Sequence, residues 1–126
     1  MAGERVLIVE DNEKNMKLVR DVLGAMGYTP LEATSGEEAL VLAAEEAPAL
    51  VLMDIQLPDI DGATALQRLR ASERTAGIPV LALTAQAMEG DRERFLAAGF
   101  DGYLSKPVDV DELIAVVHCY CDGATE

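Results

Sequence analysis

Five short apolar runs lie along the chain, each bounded by polar or turn-forming residues. The third run, residues 50–53 before Asp54, shows no alternation of apolar and polar positions. Such a run is typical of a parallel strand whose two faces are both covered by helices. The runs predict strands over residues 5–9, 28–33, 50–54, 79–83 and 102–105.

Apolar residues at helical spacing fill the segments between these runs. They predict helices over residues 15–26, 35–47, 63–71 and 88–98, and from 109 to the polar tail at 122–126. Ser35 with Glu38, and Asp109 with Glu112, have the spacing of capping boxes. Gly27 is expected to end the first helix.

The alternation of strands and helices defines the expected fold class. It predicts an α/β domain with a doubly wound, five-stranded parallel sheet flanked by five helices. No repeat, low-complexity segment or linker interrupts the pattern. We therefore expect residues 1–126 to form a single domain, with a core over about 4–121 and a polar tail at 122–126.

The net charge of the chain limits the classes of molecule that it is expected to bind. With 23 acidic and 10 basic residues, the formal net charge is −13. A surface this negative repels nucleic acid and anionic lipid, whereas it is compatible with a cation site or a basic protein partner. No apolar stretch is long enough to predict a membrane span, and no signal peptide is visible at the start. We expect a cytoplasmic protein that inserts into no membrane and binds no nucleic acid directly.

Reactive side chains follow four of the five predicted strands. Glu10 and Asp11 follow the first, Asp54 ends the third, Thr84 follows the fourth and Lys106 follows the fifth. The carboxyl ends of parallel strands meet at one edge of a sheet. Three acids there favour Mg2+, while a hydroxyl and an ammonium suit the oxygens of a phosphoryl group. The sequence therefore predicts phosphoryl transfer to Asp54 as the nucleophile, with Mg2+ as cofactor.

Four motifs at these strand ends resemble one known family. The segments VLIVEDN (6–12), LMDIQLP (52–58), LTA (83–85) and YLSKP (103–107) resemble the receiver domain of two-component response regulators. The resemblance extends over essentially the whole chain. EKNMKL (13–18) and AMEGD (87–91) are most similar to stand-alone receivers of the DivK cell-division type. The resemblance to receiver domains implies a flavodoxin-like sheet with the strand order 2-1-3-4-5.

The resemblance also implies roles for individual residues. Asp54 matches the phosphoacceptor, and Asp11 with Asp54 matches the direct Mg2+ ligands. Glu10 matches the acid that reaches Mg2+ mostly through water, and the backbone carbonyl of Gln56 matches the remaining protein ligand.

Three further residues match the response to phosphorylation. Thr84 matches the hydroxyl that binds the phosphoryl group, and Lys106 matches the cation that pairs with it. Tyr103 matches the aromatic switch whose ring turns inward when Thr84 moves. The implied phosphoryl donor is a histidine kinase or a histidine phosphotransfer protein. The implied target is a protein that binds the face of helix 4, strand 5 and helix 5.

Other functions stay open at this point. The chain could be a receiver module that belongs to a longer response regulator or hybrid kinase. An aspartate-nucleophile phosphohydrolase would share the fold class and the metal, but it normally carries a second acid two residues after its nucleophile. Here that position is Gln56, which cannot transfer a proton. A flavin or dinucleotide carrier is disfavoured because Glu10 and Asp11, rather than a glycine-rich loop, follow the first strand.

Overall fold

A single sheet of parallel strands forms the centre of the molecule. The computed structural model describes residues 4–85, 91–106 and 108–122. Its strands are β1 (Arg5–Val9), β2 (Thr29–Ala33), β3 (Leu50–Asp54), β4 (Val80–Thr84) and β5 (Gly102–Ser105). They lie in the order β2-β1-β3-β4-β5, and every neighbouring pair is parallel. This arrangement confirms the predicted fold class and the implied strand order.

Helices connect the strands in the predicted sequence of elements. They are α1 (Glu13–Ala25), α2 (Gly36–Glu46), α3 (Gly62–Ala71), α4 (Asp91–Ala98) and α5 (Val110–Asp122). The predicted start of the fourth helix, at Met88, lies outside the described residues. None of the helices in the described segments combines the length and the apolar character needed to cross a membrane.

Capping side chains set the helix starts. Asn12 Oδ1 accepts a hydrogen bond from the Asn15 N–H at 3.1 Å, so α1 begins at Glu13, earlier than predicted. Asp109 Oδ1 accepts from the Glu112 N–H at 3.2 Å, which confirms the predicted start of the last helix.

The predicted capping box of α2 forms only in part. Ser35 Oγ accepts from the Glu38 N–H at 3.2 Å, as expected. Glu38 Oε1, however, accepts from the Thr34 N–H at 2.8 Å. The returning bond is therefore displaced by one residue, because Thr34 rather than Ser35 presents its amide to the Glu38 carboxylate.

The core has two halves, one on each face of the sheet. Alternation along β1 sends Val6 and Ile8 to one face and Leu7 and Val9 to the other. The first half packs against α1 and α5, and the second packs against α2, α3 and α4. Every residue of β3 and β4 is buried. The apolar run before Asp54 is therefore a strand covered on both faces, as predicted.

α2 ends at a residue with a left-handed backbone. Ala47 has φ 48° and ψ 61°, and its N–H donates to the Ala43 carbonyl at 3.1 Å. This conformation usually belongs to glycine, because a Cβ atom crowds the following carbonyl oxygen. Pro48 follows, and proline independently disfavours helical backbone in the residue before it. Ala47 thus strains the chain where α2 closes.

Arg70 of α3 joins two loops at the amino ends of β4 and β5. Its guanidinium donates four hydrogen bonds, at 2.6–3.1 Å, to the backbone oxygens of Ala76, Ile78 and Gly99 and to Oδ2 of Asp101. Asp101 Oδ2 also accepts from the Val80 N–H at 2.8 Å. We call Arg70, Asp101 and these backbone partners the Arg70 clasp.

Candidate functional site

Three acids meet at the carboxyl edge of the sheet. One carboxylate oxygen from each of Glu10, Asp11 and Asp54 lies within 4.8 Å of the other two. They meet because β1 and β3 are direct neighbours and both end at this edge. Glu10 and Asp54 are buried, and Asp11 is exposed. We call these three residues the acidic cluster.

Lys106 brings one positive charge to the acidic cluster. Its Nζ atom lies 2.8 Å from Asp54 Oδ2 and 2.8 Å from Glu10 Oε1. The Lys106 backbone N–H donates to the Thr84 carbonyl at 2.7 Å, which continues the pairing of β4 with β5. The lysine is therefore held by its backbone at one end and by two carboxylates at the other.

Glu10 has an unusual environment for a carboxylate. Its Oε2 atom accepts a hydrogen bond from the Asn12 N–H at 3.0 Å. Its buried Oε1 atom makes no hydrogen bond of good geometry, although the Lys106 ammonium is 2.8 Å away. Burial raises the pKa of Glu10, and the nearby charge of Asp54 adds to the rise, against the opposing effects of Lys106 and the Asn12 amide.

The pKa of Lys106 is set by burial and by its two carboxylate partners. Burial alone would lower the pKa of its ammonium group. The hydrogen bond to Asp54 and the negative charges of Asp54 and Glu10 outweigh that effect, so the pKa of Lys106 is raised above its ordinary value. The ammonium therefore stays charged throughout the neutral range.

The donor set fits a hard dication. All side-chain groups of the acidic cluster offer oxygen, and their combined negative charge exceeds the positive charge of the Lys106 ammonium that pairs with two of them. The buried Oε1 atom of Glu10 retains capacity to accept. Mg2+ prefers oxygen ligands of this type. Gln56 is the second residue of the loop after β3, and its N–H donates to Asp54 Oδ1 at 2.9 Å, so this loop lies directly beside the acids.

A small cavity of about 70 Å3 opens next to Asp54. Its lining comprises Asp54, Ile55, Gln56, Thr84, Ala85, Arg94 and Lys106. Thr84 is buried, so the hydroxyl-bearing side chain lies below the surface rather than in solvent. The structure thus brings the predicted phosphoacceptor, hydroxyl and ammonium residues to one place.

Arg94 was missed by the sequence analysis. It lies inside α4 rather than at a strand end, and its guanidinium carbon is 5.3 Å from the centre of the Phe95 ring. No signal in the sequence marks it, because its approach to the cavity depends on how α4 packs against the sheet.

Tyr103 lies beside the site rather than in it. It is half-buried on β5, and its ring centre is 5.6 Å from that of Phe95 in a tilted arrangement. The register pairs Tyr103 with Ala82, two residues before Thr84 on β4. The predicted switch residues therefore occupy neighbouring strands. Gln86 and Pro107, which flank this region in the sequence, lie outside the described residues.

Comparisons with known proteins agree with this geometry. The family model described as the response regulator receiver domain matches residues 6–118. The polar-differentiation response regulator DivK of Brucella ovis is 48% identical over 119 residues, which cover 94% of this chain and 97% of that protein.

Solved structures show the same relationship. The receiver domain of the sensor histidine kinase PA1611 from Pseudomonas aeruginosa, solved with magnesium in its active-site cleft, has a TM-score of 0.86 and 37% identity, covering 94% of this chain and 98% of that chain. A second similar chain comes from the co-crystal structure of the Saccharomyces cerevisiae histidine phosphotransfer protein Ypd1 with the receiver domain of Ssk1. It has a TM-score of 0.88 and 28% identity, and the match covers 99% of this chain and 93% of that chain. On this fold, this cluster of acids and these matches, the chain belongs to the response regulator receiver domain family of two-component systems.

Proposed function

We propose that this protein is a signalling receiver that accepts a phosphoryl group on Asp54. The supporting observation is the position of the Asp54 carboxylate, buried at the end of β3, 2.8 Å from Lys106 Nζ and facing a cavity also lined by Thr84. A carboxylate oxygen of Asp54 attacks the phosphorus of a phosphohistidine. The new P–O bond forms as the P–N bond breaks, and the imidazole leaves.

The residues of the chain divide this chemistry among themselves. Lys106 and Thr84 offer a cation and a hydroxyl to the phosphoryl oxygens. Glu10, Asp11, Asp54 and the backbone carbonyl of Gln56 would hold Mg2+, which supplies positive charge to the transferring group. The magnesium bound by the similar PA1611 receiver supports this assignment. On this proposal the protein catalyses only its own phosphorylation and dephosphorylation and is not a turnover enzyme.

The donor in this proposal is a histidine kinase or a histidine phosphotransfer protein, and the Ypd1–Ssk1 complex supports that class of partner. Output passes to a protein target on the face formed by α4, β5 and α5. A groove of about 340 Å3 on this face is lined in part by Leu96, Tyr103 and Tyr120. Leu96 and Tyr120 are exposed apolar or aromatic side chains that a partner could cover.

Tyr103 connects this groove to the site. When Thr84 and Lys106 both contact the added phosphoryl group, Thr84 leaves space that the Tyr103 ring can enter. Phosphorylation then shifts an existing equilibrium between two arrangements of the face. The proposal applies equally to a stand-alone cytoplasmic receiver and to a receiver within a longer regulator or hybrid kinase.

The test is labelling with a small phosphodonor in the presence of Mg2+. Wild-type protein should take up one acid-labile phosphate, and the folded Asp54→Asn variant should take up none, because the amide keeps the shape but not the nucleophile. Excess chelator should abolish labelling of the wild type. Undiminished labelling in chelator, or full labelling of Asp54→Asn mapped to His118 or a serine, would refute the proposal. Steady turnover of a phosphomonoester would instead identify a phosphohydrolase.

A further inference from the structure

The loop between β3 and α3, residues 55–61, is fastened at both of its ends. At its start, the Gln56 N–H donates to Asp54 Oδ1 at 2.9 Å. At its close, the Gly62 N–H donates to the Ile55 carbonyl at 3.0 Å. A Cβ atom on Gly62 would lie 2.7 Å from Ile55 Cα, so the two ends are in direct contact.

The middle of this loop is fastened to a different element. Asp59 Oδ1 accepts from the Gly36 N–H at 2.8 Å, and Asp59 Oδ2 accepts from the Glu37 N–H at 2.9 Å. These amides belong to the first turn of α2, where backbone N–H groups have no partner within the helix. The Glu37 and Gly36 amides together lower the pKa of Asp59, so its carboxylate is ionised at neutral pH.

Packing supports the same contact. A Cβ atom built on Gly36 would lie 2.4 Å from Ile60 Cγ1 and 2.8 Å from Ile60 Cδ1. The Ile60 side chain therefore rests on the bare backbone of Gly36. Ile60 also packs on the half of the core beneath α2 and α3. We call the contact of Asp59 and Ile60 with Gly36 and Glu37 the loop bracket.

The loop bracket exceeds what capping of α2 requires. Ser35 already caps this helix by accepting from the Glu38 N–H. Asp59 reaches the same helix end from a loop that is 22–23 residues away in sequence. The bracket therefore fixes the loop as much as it fixes the helix.

We propose that Asp59 is a positioning residue for the metal site, because the loop bracket holds the backbone carbonyl of Gln56 at the acidic cluster. The inference rests on the proposed function, in which this carbonyl is a Mg2+ ligand. Mg2+ requires near-ideal octahedral geometry, so a loop that drifts from its place weakens binding even when every ligand is present.

The first test is calorimetric titration of the whole protein with Mg2+. Asp59→Ala should weaken Mg2+ binding about tenfold, the scale of loss when a group that orients metal ligands is removed. Asp59→Asn has one acceptor oxygen in place of two and should give an intermediate affinity. Ser35→Ala is the matched control, since it removes the other cap of the same helix and should change Mg2+ affinity less than about twofold.

Gly36→Ala disrupts the loop bracket at its α2 side, where Ile60 packs on the backbone of Gly36. Alanine is the better helix former, so α2 itself is not weakened by this change. The added methyl group displaces Ile60, however, and Mg2+ affinity should fall although Asp59 is intact. The backbone amide signal of Gln56 in spectra of metal-free protein should move in Asp59→Ala and Gly36→Ala, and should stay in place in Ser35→Ala.

The outcomes separate this inference from the proposed function. If Asp59→Ala matches Ser35→Ala in Mg2+ affinity and in the Gln56 amide signal, Asp59 is only a helix cap and the inference is overturned. If wild-type protein itself binds no Mg2+, the metal assignment of the proposed function fails, and the positioning role fails with it.

Discussion

The two edges of the same sheet treat charge in opposite ways. At the carboxyl edge, the three carboxylates of the acidic cluster lie within 4.8 Å of one another, and the Lys106 ammonium pairs with two of them, Glu10 and Asp54. At the amino edge, the Arg70 clasp matches one guanidinium with one carboxylate and three backbone carbonyls. Donors and acceptors are matched within the Arg70 clasp, whereas the acidic cluster carries more negative charge than the Lys106 ammonium balances.

The Arg70 clasp is a network that stabilises the fold, whereas the acidic cluster is, on the proposed function, a network that binds a cation. Hydrogen bonds to charged groups stabilise a fold when donors and acceptors match. Like charges gathered in one place oppose folding until a cation binds. Removing a charge from the acidic cluster should therefore raise the stability of the metal-free protein, whereas removing a charge from the Arg70 clasp should lower it.

Asp11→Asn should have the largest effect. Loss of this ligand should weaken Mg2+ binding by about a hundredfold, the upper range for damage to a metal site, and should slow phosphorylation accordingly. The melting temperature of the metal-free protein should rise, because one of three neighbouring like charges is removed. Calorimetry and thermal unfolding in chelator measure the two effects.

Asp21→Asn is the control for Asp11→Asn. Asp21 is an exposed acid of α1 that pairs with Lys17 at 2.7 Å, away from the acidic cluster. This variant should bind Mg2+ as the wild type does and should gain no stability. A lower melting temperature for metal-free Asp11→Asn would mean that the three acids do not repel one another as described.

Arg70→Met should produce the opposite pattern. Three carbonyls and Asp101 lose their donor, so the free energy of unfolding should fall by about 2 kcal/mol while labelling of folded protein at Asp54 continues. Arg68→Met is the matched control, because the exposed Arg68–Glu37 pair at 2.9 Å should contribute less than about 0.5 kcal/mol. Denaturant titration compares the two, and equal losses would remove the special role of the clasp.

Thr84→Ala and Tyr103→Ala test whether phosphorylation at the carboxyl edge changes partner binding on the face formed by α4, β5 and α5. Thr84→Ala should accept phosphate slowly and lose a phosphorylation-dependent affinity gain of about tenfold, within the usual range of coupling between sites. Tyr103→Ala should alter partner affinity with labelling nearly intact. Titration against the identified partner, with labelling in parallel, separates chemistry from switching. Retention of the full gain by both variants would disprove the coupling even with Asp54 as acceptor.

The smallest effect is expected at Gln86, which lies outside the described residues two positions after Thr84. Gln56, two positions after Asp54, lines the cavity. Both side chains are bulky enough to obstruct the water that would hydrolyse an aspartyl phosphate at Asp54. Gln86→Ala should therefore shorten the lifetime of the phosphorylated protein. Because glutamine is not a general base, the change should stay below about tenfold. Decay of labelled protein measures it, and a longer lifetime in the variant would contradict the obstruction.

The sequence predicted the acidic cluster because strand ends are readable from local pattern. Unbroken apolar runs located β1 and β3, and the rule that parallel strands end at one edge brought Glu10, Asp11 and Asp54 together. The same rule applied to β5 placed Lys106 at this edge, whereas its ion pairs with Glu10 and Asp54 were not predicted.

Contacts between loops and helices were not predictable in this way. Asp59 follows Pro58 in a segment whose residues are typical of turns, and its partners at Gly36 and Glu37 depend on how α2 and the loop after β3 pack. Arg94 carried no strand-end signal, and its approach to the cavity depends on the placement of α4. Periodicity sets which face of an element is buried, but not which exposed polar group on it meets another element.

The left-handed backbone at Ala47 makes this domain open to improvement by engineering. Ala47→Gly relieves the crowding of its Cβ atom and should recover about 1 kcal/mol, although glycine also loosens the unfolded chain and offsets part of that gain. The position is exposed and lies at the far end of α2 from the loop bracket. A chain carrying this change would serve as a stabilised host in which damaging substitutions at either edge of the sheet can still be purified and measured.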